Sequence, residues 1–437
     1  MSDRRDFLKV AGSAFTTSIF TGNVRGANDR ISVAFIGMGR QGLSNLKNAK
    51  AQPEVEIAAV CDVYQPALEK AIVESGRGEN NEPDARPKAK GIHDFREILE
   101  DKSVDAVCIS TPDHWHAYMT VEACKHGKDV YVEKPICVAV EEGRKMVQAA
   151  HKYKRVVQVG TQQRSGIHFQ KAAELVRSGK LGKITFCRTW NYGHLKEEGI
   201  GNPPDSEPPT GLDWSLWLGP APHRPFNKNR WGVDPKAFSH FRWFWDYAGG
   251  MMTDWGIHLL DIVQMAFDEM APAAITALGG KYFVKDNRET PDTLQVTFEY
   301  PGGFVATYEN REFNAQSMFN QPYGILFHGT KGTLFVDRKL YRLIPEKDSD
   351  LEPAEEQSSN NHSKAHWGNF VECIKSRRKP VSDIEIGHKS TTTALLGNVS
   401  LRSKLRIDWD AQREITLQSD ARKFLHREYH KPWKLEV

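Results

Sequence analysis

The stretch that decides the fold is ISVAFI at 31–36, followed at once by Gly37-Met38-Gly39-Arg40-Gln41-Gly42 and a polar–apolar run at 43–49. The first six residues are apolar and rich in β-branched side chains, the mark of a strand buried on both faces. The run after Gly42 reads as a helix. Each glycine has a mechanical reason. The first permits the tight turn, the second lets the backbone approach a pyrophosphate, and the third lets helix and strand pack closely. The helix N-terminus then offers unpaired N–H groups and the positive end of its dipole to phosphates. A second strand at 55–60 leads into Asp62, which lies 20 residues beyond Gly42. A carboxylate there meets the adenosine ribose hydroxyls and repels a 2′-phosphate, so the pattern predicts NAD, with NADP disfavoured.

Moving outward, strands at 104–110, 129–132 and 156–159 alternate with helices at 117–126 and 140–152. This alternation predicts an α/β domain with a parallel, doubly wound sheet, a Rossmann domain over 30–160. Ligands in such sheets lie beyond the carboxyl ends of the strands. Thr111-Pro112-Asp113-His114-Trp115-His116 and Glu133-Lys134-Pro135 both occupy such ends.

The chain has 437 residues, too many for one ordinary core. Hydrophobic residues make up 39% and charged residues 26%, with a net charge of +3. That balance gives no argument for nucleic acid or an anionic membrane, and no apolar run approaches the roughly 20 residues of a membrane span. The six cysteines form no close pair, which argues against zinc ribbons and redox motifs. Residues 1–29 read as a leader: Arg4-Arg5 with Phe7-Leu8-Lys9, then a weakly apolar run at 10–20, resemble a twin-arginine export signal and imply a periplasmic or extracytoplasmic location. An amphipathic N-terminal helix is the alternative.

At Glu133-Lys134-Pro135 the sequence resembles the Gfo/Idh/MocA oxidoreductases. The other shared features are the glycine turn with Asp62, Thr111-Pro112-x-His114-x-His116, and Gly249-Gly250 followed by Asp254-x-x-x-His258-x-x-Asp261. The resemblance implies an α+β second domain, placed over 161–405, with a large, open, mostly antiparallel sheet, and homo-oligomers built on that sheet (dimers or tetramers). Strand-like runs at 183–190, 275–284, 293–300 and 304–310 agree in outline. Residues 406–437 read as an arm packed along the body.

The resemblance places catalytic roles on Lys134, Asp254 and His258. Oxidising a secondary alcohol needs a base for the hydroxyl proton while hydride leaves for the nicotinamide. Asp254 and His258 are four apart on an expected helix and so share a face, where the carboxylate would orient the imidazole and stabilise its charge. Lys134 would stabilise negative charge on the reacting oxygen, or alternatively only position the cofactor. The expected cofactor contacts are Gly37, Met38, Gly39, Arg40, Gln41, Gly42, Asp62, Thr111, Pro112, His114, His116, Glu133 and Lys134. His114 and His116 have helix capping as their alternative, and no metal site is expected.

Residues 192–250 are rich in tryptophan, including Trp214, Trp217, Trp231, Trp243 and Trp245. Each alone reads as a core aromatic. As a group beside Asp254 and His258 they favour a sugar, glycoside or polyol substrate, and Arg164, Tyr192 and Trp243 join Asp254 and His258 as expected substrate contacts. The polar stretch 361–367, with His362 and His366, reads as a loop, either a lid or a surface turn. Three functions follow: an NAD-dependent dehydrogenase acting on a CH–OH group; a redox-neutral glycosidase or sugar–sugar hydride transfer enzyme using the same residues; and a non-catalytic NAD- or sugar-binding protein. An exported enzyme would hold its NAD tightly, because free cofactor is scarce outside the cytoplasm.

Overall fold

The computed structural model describes residues 30–78, 88–232, 239–268 and 270–437; the expected leader lies outside the described residues. Six strands form the first sheet: β1 (Ile31–Ile36), β2 (Val55–Cys61), β3 (Lys90–Ile92), β4 (Ala106–Ile109), β5 (Asp129–Val132) and β6 (Val157–Val159). Their order is β3-β2-β1-β4-β5-β6, and every pairing is parallel. Helices α1 (Arg40–Lys50), α2 (Gln65–Ser75), α3 (Phe95–Glu100), α4 (Asp113–Lys125) and α5 (Val140–Lys152) connect them. Successive residues of a strand point to opposite faces. Val33 and Phe35 accordingly pack in one apolar cluster with Leu46 and Ala49 of α1, whereas Ala34 and Ile36 pack in the other with α4 and α5.

The strand order reverses between β1 and β4, and that is where such sheets bind their ligands. Register fixes what meets there. Ile36 pairs with Ile109, Ile109 with Val132, and Val132 with Val159, so the turns after these four strands stand in one row. Gly37, Thr111, Lys134 and Gly160 therefore share one edge of the sheet.

The second sheet has ten strands: β7 (Ile184–Tyr192), β8 (Ala274–Gly280), β9 (Thr293–Tyr300), β10 (Phe304–Arg311), β11 (Tyr323–Gly329), β12 (Gly332–Val336), β13 (Leu340–Pro345), β14 (Ala354–Gln357), β15 (Ile407–Asp410) and β16 (Ile415–Thr416). The pair β7–β10 is parallel and its other pairings are antiparallel. Helices α6 (Ile167–Arg177), α7 (Ile257–Ala266), α8 (His362–Ser376) and α9 (Ile384–Ser403) complete the domain. One apolar cluster runs unbroken from Ala34 and Val107 through Leu396 to Phe298 and Ala306, so the two sheets are joined through packed helices. No helix among the described residues is long and apolar enough to cross a membrane.

Two expectations are corrected, and a third, the C-terminal arm, gains detail. Helix α4 starts at Asp113 and not at 117, because Asp113, His114, Trp115 and His116 are all buried and leave no amphipathic period to read. Residues 362–367 are the start of α8, capped by Asn361, whose Oδ1 accepts from Lys364 N at 3.0 Å. The arm begins as a strand: Ile407 pairs with Ile275 and Asp408 with Ala274, which extends the sheet past β8.

Candidate active site

A cavity of about 580 Å³ lies at the reversal point. Its cofactor end is built on the glycine turn. Gly37 has φ +87°, and a side chain there would meet Thr111 N at 2.7 Å. A Cβ on Gly42 would meet Gly37 O at 2.0 Å, so Gly42 is fixed by packing and not by the cavity. A Cβ on Gly39 meets nothing within 4 Å: the second glycine faces open space. Helix α1 begins there with no acidic residue in its first turn and no capping side chain, so its first N–H groups remain available to an anion. Asp62 lines the same cavity and accepts from Met38 N at 2.7 Å and Tyr64 N at 2.9 Å. Burial pushes its carboxyl up against those N–H donors. Thr111 Oγ1 is buried without a partner beside the turn. Open volume, free helix N–H groups, a carboxylate and an unpartnered hydroxyl fit a dinucleotide. The Met38 side chain points into the core instead.

Glu133 ties the two ends together. Its Oε1 accepts from Gln41 Nε2 (2.9 Å), Asn45 Nδ2 (2.9 Å) and Gln162 Nε2 (3.0 Å). Burial raises its pKa, so it is best read as a brace for helix α1 and the 162 turn. His116 has a similar task, with Nδ1 2.7 Å from Pro135 O and Nε2 2.9 Å from Thr111 O. Burial pushes its pKa down to about 4.

At the other end, Lys134 Nζ donates to Asp254 O at 2.9 Å and Asp254 Oδ1 at 3.0 Å. Arg242 Nε donates to the same Oδ1 at 2.9 Å. Burial alone would raise the Asp254 pKa, yet Lys134 and Arg242 hold it far below the usual carboxylate range. Two donors on Asp254 leave the Lys134 ammonium one N–H for the cavity it lines. His258 lines the cavity as well, and its Nδ1 is buried without a partner. Burial, then Lys134 and Arg338, push its pKa well below the ordinary value, so the imidazole is neutral at neutral pH. This corrects the expected pairing. Residues Met252–Gly256 wind as a π-turn before α7, and the Asp254 carboxylate is engaged by two cations, so it does not orient or charge His258.

Four expected site residues lie elsewhere. Arg164 is sealed in the interior, donating through Nε to both Asp261 oxygens at 2.9 and 2.8 Å. Tyr192 is on β7, where its hydroxyl donates to Glu309 at 2.6 Å within an apolar cluster with Trp190, Leu326 and Phe335. Trp243 is core, under the Arg288 guanidinium at 4.5 Å. His114 packs on Trp217 and Tyr247, with Nε2 3.0 Å from Trp217 O. The aromatic insertion largely forms its own core. Of its tryptophans at 214, 217, 231, 243 and 245, only Trp217 and Trp231 reach the cavity. Trp231 packs edge-on to Tyr64 at 5.0 Å, near Asp62 and so at the cofactor end.

The cavity wall also holds Asp113, Arg242, Trp255, Arg338 and His362. Burial pushes the Asp113 carboxyl up to about 7, against the pull of Arg242 and Lys134. Trp255 stands between the two carried-over residues Asp254 and His258, with its ring 6.2 Å from the His258 ring. Asp113 sits inside the Thr111–His116 motif at a position that motif leaves open. Arg242 and Arg338 carry no local sequence signal, because what marks them is their neighbours in space, Asp254 for the first and Gln163 and Trp255 for the second.

Comparison with known proteins agrees with this geometry. The profile of the Gfo/Idh/MocA oxidoreductase family's NAD-binding Rossmann fold matches residues 31–161, and that of its C-terminal alpha/beta domain matches residues 166–435. The chain belongs to this family, and its N-terminal domain is an NAD-binding Rossmann domain. A glycosyl hydrolase family 109 protein of Shewanella sp. (strain W3-18-1) is 28% identical over 204 residues, spanning 41% of this chain and 44% of the relative. The match thus spans less than half of that relative's length. The WlbA dehydrogenase of Bordetella pertussis, solved with NADH and UDP-GlcNAcA, superposes with TM-score 0.65 at 18% identity, covering 87% of this chain and 99% of that one. The aldose–aldose oxidoreductase of Caulobacter crescentus, solved with glycerol, gives TM-score 0.64 at 20% identity over 87% and 99% of the two chains.

Proposed function

We propose that the protein oxidises a CH–OH carbon of a sugar, glycoside or polyol with tightly held NAD, and that it works outside the cytoplasm. The observation that carries this reading is the single cavity that joins the glycine turn to Lys134, Asp254 and His258. When bound, NAD supplies a hydride acceptor at its nicotinamide ring. A neutral His258 has a nitrogen lone pair for the hydroxyl proton. The remaining N–H of Lys134 holds the substrate oxygen and stabilises charge on it, while Asp254 and Arg242 fix the ammonium in place. Return of the hydride together with that proton permits a redox-neutral outcome. The glycosyl hydrolase relative and the aldose–aldose oxidoreductase fold neighbour support keeping that outcome within the proposal. The residues Arg4-Arg5 support export, and a route that carries folded proteins favours a cofactor loaded beforehand. We further propose a homo-oligomer, a dimer or tetramer, built on the second sheet.

The test is purification of the native protein without added nucleotide. The expected result is nucleotide absorbance in near-stoichiometric amount. A nucleotide-free protein with an absolute need for added NAD would refute the resident cofactor.

A further inference from the structure

The catalytic end of the cavity holds a cation to which no carboxylate is hydrogen-bonded or ion-paired among the described residues; Asp254 acts on it only through space. Lys134 and Arg242 share Asp254. Arg338, in the middle of the loop from β12 to β13, does not. Its Nε donates to Gln163 Oε1 at 3.1 Å, and its guanidinium lies over the Trp255 ring at 4.7 Å and the Tyr323 ring at 5.8 Å. No hydrogen bond or ion pair engages its two terminal nitrogens among the described residues, and Arg338 lines the cavity.

The carboxylate that acts on it, Asp254, is already bonded by Lys134 and Arg242. The lining groups that act on it include Gln163, Trp255, His258 and His362. Burial holds both His258 and His362 in the neutral form, the latter with a pKa near 4. The cofactor's phosphates are provided for at the glycine turn, where the first N–H groups of α1 stay available, on the far side of the Glu133 brace. Two aromatic rings and Gln163 fix the plane of the guanidinium before any ligand arrives. A planar, preorganised fork is the geometry that binds a carboxylate through two parallel N–H···O bonds. Closing a neutral sugar over it would leave a desolvated charge uncompensated, which is costly.

We propose that Arg338 is the anion-recognising residue of the substrate subsite, and that the substrate is an acidic sugar or glycoside bearing a carboxylate, of the hexuronate class. Arg338 stacks on Trp255, and Trp255 adjoins His258, so the carboxylate belongs on the oxidised ring or on the ring next to it. This rests on the oxidoreductase reading above for the orientation of the substrate, but its test does not require turnover.

The test is a tryptophan-fluorescence titration of the full-length, NAD-loaded protein with glucuronate, galacturonate and mannuronate, each against its neutral hexose. Arg338→Gln and Arg338→Lys are titrated in parallel, with retained NAD as the check on folding. At least one hexuronate should bind about tenfold or more tightly than its hexose, the scale of a charge-assisted hydrogen bond. Arg338→Gln should abolish that preference, bringing hexuronate affinity down to that of the hexose, while Arg338→Lys should keep only part of it. Equal affinity for acid and neutral sugar, no binding of any hexuronate, or a preference that survives Arg338→Gln overturns the proposal. The two readings fail separately. Hexuronate binding through Arg338 with no change at the reduced-nicotinamide band would sink the oxidoreductase reading alone. Turnover of neutral sugars matching that of hexuronates would sink the subsite alone.

Discussion

Asp254 and Asp261 stand seven residues apart on one continuous helical segment; Lys134 and Arg242 meet the first from outside it, and Arg164 meets the second. Arg164 and Asp261 are 4% and 1% exposed, and Ser390 Oγ adds a third bond at 2.5 Å. Lys134 and Asp254 are 12% and 11% exposed, and both line the cavity. The first cluster uses its charges on itself and locks the 162–165 turn to α7 and α9. The second keeps one ammonium N–H and a neutral imidazole facing open volume. A buried ion pair is therefore no sign of a site by itself. The sign is a pair that opens on a cavity with donors to spare, and the π-turn at Met252–Gly256 is where the two kinds of environment part.

Breaking each pair should separate the two roles. Lys134→Ala should lower turnover by about 10²–10³-fold, the scale of a lost transition-state donor, with little change in melting temperature. Arg164→Ala should do the reverse: unfolding free energy falls by about 3–5 kcal/mol while the folded fraction keeps its NAD. Denaturant titration and steady-state rates on the same two proteins decide this. A large stability loss in Lys134→Ala with normal turnover would erase the distinction.

A smaller effect concerns Asp113. Burial raises its folded-state pKa to about 7, so its contribution to stability is present at low pH and is lost as pH rises through about 7. Asp113→Asn stays neutral. Its melting temperature should fall less than that of the wild type between pH 6 and pH 8. Parallel melting curves in the two proteins would show that Asp113 does not titrate there.

The contrast also explains what could be read from the sequence. The first sheet was legible because β1, β4 and β5 are short, apolar and separated by helices, and because the glycine turn has few other uses. The strand runs of the second sheet were legible where an alternation survives, as in β9, whose exposed and buried residues alternate along its length. Arg164, Tyr192 and Trp243 were misplaced because an arginine or aromatic gives the same local signal whether it faces a ligand or a partner in the core. The 361–367 stretch was misread because polar residues at a helix start look like a loop until Asn361 is recognised as the cap. Asp113, Arg242 and Arg338 carry no local signal for the converse reason: Asp113 meets Arg242, and Arg338 meets Gln163, each more than a hundred residues away in the chain.

The most direct test of the account is the reduced-nicotinamide band of the NAD-loaded protein after addition of an acidic-sugar panel, in the wild type and in His258→Ala. The wild type should develop the band, either persistently or as a transient that decays in a redox-neutral cycle. His258→Ala should retain its nucleotide and develop the band about 10²–10⁴-fold more slowly. Equal rates in the two proteins would contradict the assignment of His258 as the proton acceptor, and with it the claim that this end of the cavity performs the chemistry.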